Sequence, residues 1–109
     1  MKRMIRTPLV RLVDDDDAFR ESQREFLKAM GWQVEDYAGA ADLLERDDLS
    51  RPGCLVLDIR MPGMTGLALM QACAALKDPP LFVMVSAYAD FEYAKQALEG
   101  GAFAYILKP

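Results

Sequence analysis

The chain has 109 residues, a formal net charge of −4, 52% hydrophobic residues and 28% charged residues. These values fit one globular domain and exclude a self-sufficient nucleic-acid binder, because phosphate contacts need a basic face. Two cysteines without any histidine rule out a structural zinc site, and with no leader pattern or run of membrane-spanning length the expected setting is cytoplasmic, with no membrane partner.

In chain order, short apolar runs alternate with amphipathic stretches. Met1 to Pro8 reads as a ragged lead-in and Leu9 to Val13 as a first strand. Phe19, Phe26, Leu27 and Met30 recur at helical spacing, and Gly31 is placed to stop that helix. Gln33 to Tyr37 alternates as a second strand, Ala40 to Arg46 reads as a short helix, and residues 47–53 read as a loop. Cys54 to Asp58 is a third strand. Thr65 to Leu76, rich in Ala, Leu and Met, reads as a well-buried helix ended by Asp78-Pro-Pro80. Leu81 to Val85 is a fourth strand ending at Ser86. Asp90 to Glu99 is a helix with Asp90 as N-cap, stopped by Gly100-Gly101, and Ala102 to Leu107 is a fifth strand. Cys54 and Cys73 lie inside apolar segments and read as small buried hydrophobes.

Strand–helix alternation with short connections implies parallel strands and right-handed crossovers. The expected fold is an α/β, doubly wound five-stranded parallel sheet over residues 1–109, with its site at the carboxyl edge. A sheet of this kind wants a helix after the fifth strand, and the chain stops at Pro109 before one.

Charged residues cluster at the predicted strand ends. The first strand runs into Asp14-Asp15-Asp16-Asp17, the third ends in Asp58, and the fifth ends in Lys108-Pro109. Two carboxylates about 4 Å apart repel by roughly 1 kcal/mol in water and roughly 4 kcal/mol at an effective dielectric of 20. A divalent cation offsets that repulsion. All-oxygen ligands favour Mg²⁺, with Mn²⁺ or Ca²⁺ as alternatives. The competing use of such a run is to cap a helix. That use suits Asp16 and Asp17, whereas Asp14 and Asp15 at the strand end suit a cation. Beside those acids, Lys108 can pair with Asp58 or a phosphoryl oxygen, and Ser86 can donate a hydrogen bond to the same group.

The combination resembles the receiver domain of bacterial two-component response regulators, a flavodoxin-like fold. The resemblance rests on Val13-Asp14-Asp15, Leu57-Asp58-Ile-Arg-Met-Pro-Gly-Met-Thr-Gly66, Val85-Ser86-Ala87, Gly101-Ala102 and Lys108-Pro109, in that order and spacing. It implies that Asp58 is the phosphoacceptor, attacking a phosphohistidine on a sensor histidine kinase. It further implies that Asp15 and Asp58 bind Mg²⁺ directly, Asp14 largely through water, and the Arg60 backbone carbonyl completes the set. Ser86 and the Ala87 amide would hold the phosphoryl group. Lys108 would pair with Asp58 before transfer and with the phosphoryl oxygens afterwards. A cis Lys108–Pro109 bond is implied, at a cost of about 0.5–1 kcal/mol. Ser86 and Tyr105 would form the conformational switch, although plain strand packing equally explains Tyr105.

Ser86 stands where threonine is also used and lacks the methyl group that restricts its rotamer. Arg60 and Tyr88 flank the site, where their bulk bears on the phosphoryl lifetime. The stretches Tyr37 to Leu44 and Leu98 to Ala102 resemble receivers attached to DNA-binding transcription factors, so transcription is the expected output, through another domain. Homodimerisation through the surface around the fourth helix and fifth strand is a further option, with no mode readable while the last helix is absent. Three rivals remain. A Mg²⁺-dependent phosphohydrolase of haloacid-dehalogenase type needs a second aspartate where Arg60 stands. An unphosphorylated interaction module would not need all of Asp14, Asp15, Asp58, Ser86 and Lys108. A flavodoxin-like cofactor carrier needs a Gly-rich loop after Val13, where four aspartates stand instead. The expected protein is therefore a phosphoacceptor and not an enzyme in the turnover sense.

Overall fold

The computed structural model of the chain describes residues 8–87 and 91–108. The lead-in before Pro8, Tyr88, the Asp90 cap and the Lys108–Pro109 bond lie outside those residues. The elements run β1 (Leu9–Val13), α1 (Asp17–Ala29), β2 (Gln33–Tyr37), α2 (Ala40–Arg46), β3 (Gly53–Asp58), α3 (Gly66–Ala74), β4 (Leu81–Ser86), α4 (Phe91–Glu99) and β5 (Ala104–Leu107). They form one five-stranded sheet of order β2-β1-β3-β4-β5, and every pairing is parallel. The order reverses between β1 and β3, which opens a crevice at their carboxyl ends.

The two faces of the sheet bury different sets. Val13, Tyr37, Leu55, Leu57 and Met84 pack with Leu43 of α2, Leu69 and Met70 of α3, and Ala97 of α4. Val10, Leu12 and Val34 pack on the other face with Leu27 of α1 and Val56. β1 is buried along its whole length, as a strand with a paired neighbour on each side and cover on both faces should be.

Three sequence expectations change in detail. Phe26 and Met30 are exposed, at 60% and 62%. The half-buried stripe of α1 is instead Phe19, Gln23 and Leu27, spaced i, i+4, i+8. α3 starts at Gly66 with Thr65 as its N-cap, whose Oγ1 accepts from the Ala68 amide at 3.1 Å. β5 starts at Ala104 because the Ala102 amide closes the end of α4, donating to the Ala97 carbonyl at 2.9 Å. Gly101, at φ +109°, makes the left-handed turn this closure needs.

One charged side chain lies within the β1 run. Arg11 is 1% exposed. Its Nε donates to Asp47 Oδ2 at 2.7 Å and its Nη2 donates to the Arg51 carbonyl at 3.0 Å. The Tyr37 hydroxyl also donates to Asp47. Arg11 Nη1 is buried without a hydrogen-bond partner among the described residues. Cys73 is buried and Cys54 half-buried. Burial raises both thiol pKa values, and at Cys73 the nearby Arg11 offsets part of that rise.

Candidate functional site

Asp14 follows the last residue of β1, and its amide donates to the Tyr37 carbonyl of β2 at 3.1 Å. Asp14 Oδ1 accepts from the Asp16 amide at 2.9 Å, a tight local turn that aims the carboxylate over the sheet edge. Asp16 is the N-cap of α1, its Oδ1 accepting from the Phe19 amide at 3.1 Å. Asp17 lies in the first turn and pairs with Arg20 at 2.8 Å. The aspartate run is thus divided: Asp16 and Asp17 serve the helix, and Asp14 and Asp15 face the sheet edge with Asp58.

Asp58 ends β3. Its Oδ1 accepts from the Arg60 amide at 3.3 Å. The chain then turns through residues 61–65 into α3, and the Gly66 amide donates to the Ile59 carbonyl at 3.0 Å. A Cβ on Gly66 would stand 2.4 Å from the Asp58 carbonyl oxygen. Glycine is required there by close backbone approach, and a larger residue would push Asp58 out of place.

One carboxylate oxygen from each of Asp14, Asp15 and Asp58 lies within 4.8 Å of the others. Asp14 and Asp58 are buried and Asp15 is exposed. Lys108, just past β5, reaches across the edge. Its Nζ lies 2.9 Å from Asp14 Oδ2 and 3.4 Å from Asp58 Oδ2. The ammonium thus sits nearer Asp14 than Asp58, where the sequence paired it with Asp58 alone. Burial pushes the Asp58 carboxyl up and the Asp14 charge pushes it further; Lys108 and the Arg60 amide recover only part, leaving it at about 6. Burial lowers the Lys108 pKa, but Asp14 and Asp58 outweigh that and leave it above the usual lysine value.

Ser86 is fully buried at the end of β4, and its backbone carbonyl accepts from the Lys108 amide at 2.8 Å. Ala87 follows on the exposed rim. Tyr105 is half-buried against the main core, paired in register with Met84. Arg60 is exposed, with its guanidinium carbon 5.0 Å from the Tyr93 ring centre on α4.

Two neighbours of the site went unnoticed in the sequence. Arg20 Nη1 donates to the Asp14 carbonyl at 2.6 Å while Arg20 Nε pairs with Asp36 at 3.0 Å, tying α1 to β1 and β2. Phe19 places its ring centre 4.5 Å from the Lys108 ammonium. Arg20 has a recoverable signal, a cation one helical turn after an N-cap aspartate; Phe19 reads only as a packing residue.

Three clustered carboxylates with one ammonium provide hard oxygen ligands and no soft ones, a donor set that fits a small divalent cation. Residues 10–109 match the family described as the response regulator receiver domain. The chain belongs to that family. This receiver domain is 38% identical over 107 residues to the C4-dicarboxylate transport transcriptional regulatory protein DctD of Rhizobium meliloti (strain 1021), covering 97% of this chain and 23% of that protein. It is 37% identical over 103 residues to the C4-dicarboxylate transport transcriptional regulatory protein DctR of Rhodobacter capsulatus, covering 92% of this chain and 52% of that one. The crystal structure of the CheY-like response regulator receiver domain protein from Methanospirillum hungatei JF-1 superposes with a TM-score of 0.86 at 32% identity, covering 95% of this chain and 83% of that one. The chain thus spans between about a quarter and a half of these two curated relatives. Both are named as transcriptional regulators. Among the described residues, no helix is long and apolar enough to cross a membrane.

Proposed function

We propose that this receiver domain accepts a phosphoryl group on Asp58 from the phosphohistidine of a sensor histidine kinase, with Mg²⁺ bound, and converts it into a change of shape that controls transcription through another domain. The observation that carries this reading is the buried Asp58 carboxylate, with Asp14 and Asp15 within 4.8 Å and the Lys108 ammonium 3.4 Å away. With its pKa at about 6, Asp58 is largely ionised near neutral pH and available as a nucleophile.

In the transfer, an Asp58 oxygen forms a bond to phosphorus while the bond from phosphorus to the histidine nitrogen breaks. The products are an acyl phosphate and a neutral histidine, the leaving ring nitrogen keeping the bonding electron pair and the other ring nitrogen carrying the proton. Phosphoryl transfer calls for positioning and charge neutralisation more than for covalent assistance. The Arg60 amide orients Asp58 and the Lys108 ammonium moves its pairing onto the incoming oxygens. Ser86 and the Ala87 amide donate to them. Asp14, Asp15, Asp58 and the Arg60 carbonyl are the groups that would hold Mg²⁺, Asp14 largely through water. When bound, the ion supplies neutralisation of the carboxylates and of the phosphoryl oxygens. The ammonium is shared here between Asp14 and Asp58, and with those acids neutralised it would follow the phosphoryl group.

The switch assigned to Ser86 and Tyr105 uses their places in the sheet. Ser86 ends β4, Tyr105 sits on the adjacent β5, and both β4 and β5 pack near α4. A Ser86 hydroxyl drawn to the phosphoryl group would leave room for the half-buried Tyr105 ring to move inward, and phosphorylation would bias the two populations. In the test, acetyl phosphate with Mg²⁺ labels the protein once and Asp58→Asn takes no label. Undiminished labelling of Asp58→Asn would overturn the assignment.

A further inference from the structure

We infer that Phe19 is a positioning residue for Lys108: its ring face holds the ammonium at the carboxyl edge of the sheet while the ammonium's charged partners change. The inference rests on the phosphoacceptor reading of Asp58.

Three observations point to it. The Lys108 Nζ is enclosed on one side by Asp14, at 2.9 Å, and Asp58, at 3.4 Å, and on another by the Phe19 ring, whose centre is 4.5 Å away. The lysine side chain is 9% exposed, so the ring occupies a side of the ammonium where water would otherwise stand. The backbone of Phe19 is held: it lies in the first turn of α1, and its amide donates to the Asp16 cap. Its half-buried ring borders an apolar cavity on the sheet face together with Leu12, Val56 and Val85.

A cation is attracted to a ring face without a directional lone pair to satisfy. Such a contact tolerates small shifts of the ammonium, which a hydrogen bond does not. On the functional reading, both charged partners of Lys108 are altered during the reaction: Asp14 contributes to the cation site and Asp58 becomes an acyl phosphate. The Phe19 ring is the neighbour that neither event alters. It therefore sets where the ammonium stands when the phosphoryl group arrives. The competing account is that Phe19 merely fills space between α1 and the sheet.

Phe19→Leu keeps an apolar side chain and removes the ring, whereas Phe19→Tyr keeps the ring. In the full-length chain, the proton resonances of the Lys108 ε-methylene should be shifted upfield by the ring in wild type and in Phe19→Tyr, and should return to the ordinary lysine position in Phe19→Leu. That measurement needs neither metal nor phosphoryl donor. With saturating Mg²⁺ and acetyl phosphate, Phe19→Leu should be labelled about three- to tenfold more slowly, the size of a partly desolvated cation–ring contact. Phe19→Tyr should stay near wild type. In a Lys108→Ala background, Phe19→Leu should slow labelling no further. An unshifted Lys108 resonance in wild type, or the same slowing with and without Lys108, overturns the role of Phe19. A wild-type protein that takes no label overturns the phosphoacceptor reading itself, whereas a labelled wild type matched by Phe19→Leu overturns only the positioning role.

Discussion

Two charged clusters are built on β1 and its edge, three residues apart, and they are balanced in opposite ways. Arg11 is buried with a single carboxylate, Asp47, which also accepts from the Tyr37 hydroxyl and, at 2.8 Å, from the Leu49 amide. Lys108 is buried among Asp14 and Asp58, with Asp15 alongside. Burial acts on Asp47 and Asp58 alike, pushing each carboxyl up. At Asp47 the hydrogen bonds from Arg11, Tyr37 and Leu49 outweigh burial and hold the pKa below the usual value. At Asp58 the Asp14 charge adds to burial, and one lysine shared between two acids cannot compensate. The donors that Asp47 meets among the described residues, and the Asp14 charge beside Asp58, separate a fastening from a site with negative charge left over.

The largest effect should come from breaking the balanced cluster. Arg11→Met leaves Asp47 without its guanidinium and should cost about 3–5 kcal/mol of stability, the usual result of removing one partner of a buried pair. Arg11→Met combined with Asp47→Leu should recover much of that loss, because no charge then remains unpaired. Urea unfolding of the single and double variants measures both. A single variant within about 0.5 kcal/mol of wild type would mean that Arg11 is a solvated surface group in solution, like most harmless substitutions.

The unbalanced cluster should respond to a cation, and the balanced one should not. Mg²⁺ at about 100 times its Kd should add about 2.7 kcal/mol to stability by linkage. For a domain of this size that is an upward shift in Tm of roughly 4–8 °C per kcal/mol. The shift should shrink strongly in Asp58→Asn and be retained in Asp47→Asn if that variant folds. A thermal scan that stays flat up to tens of millimolar Mg²⁺ would remove the distinction between the clusters.

These clusters were unequally legible in the sequence. The acids and Lys108 each stand at the end of an apolar run, so a parallel sheet with short connections brings their backbones to one edge whatever the side chains do. That logic also yields the parallel doubly wound sheet and most element boundaries, while the strand order β2-β1-β3-β4-β5 comes from the structure. It does not reveal that Lys108 leans toward Asp14, which depends on the reach of a flexible side chain over a twisted edge. Nor does it reveal Arg11, which looks like an interruption in an apolar strand, because its partner Asp47 comes 36 residues later in what reads as a loop. The half-buried stripe of α1 is hidden from the sequence for a related reason. Phe26 and Met30 fit a helical period as well as Leu27 does, and only the angle at which α1 crosses the sheet decides which stripe faces in. The sequence makes β5 two residues longer than it is, because Ala102 looks like a strand residue, yet its amide is taken by α4.

The smallest effect is also the one that sets the two clusters apart by pH. The folded Asp58 pKa of about 6 lies above the ordinary 3.8. Between those values the folded protein keeps a proton that the unfolded chain has released, so Asp58 makes stability fall as pH rises from about 4 to about 6, with no further change above. Asp47 works in the opposite sense. Its lowered pKa gives stability that is present above the unfolded value and lost as pH falls through the folded one, in a more acidic window. Asp58→Asn should therefore leave stability near wild type at about pH 4, where Asp58 is protonated, and raise it by about 1–2 kcal/mol at about pH 7 without metal, less than the full shift implies because the Lys108 contact is weakened too. Urea midpoints of wild type and Asp58→Asn at those two pH values read the difference directly. A gain of equal size at both would mean that the substitution acts through packing and not through charge, and an Asp58→Asn protein weaker than wild type at neutral pH would mean that Lys108 more than compensates the crowded carboxylates.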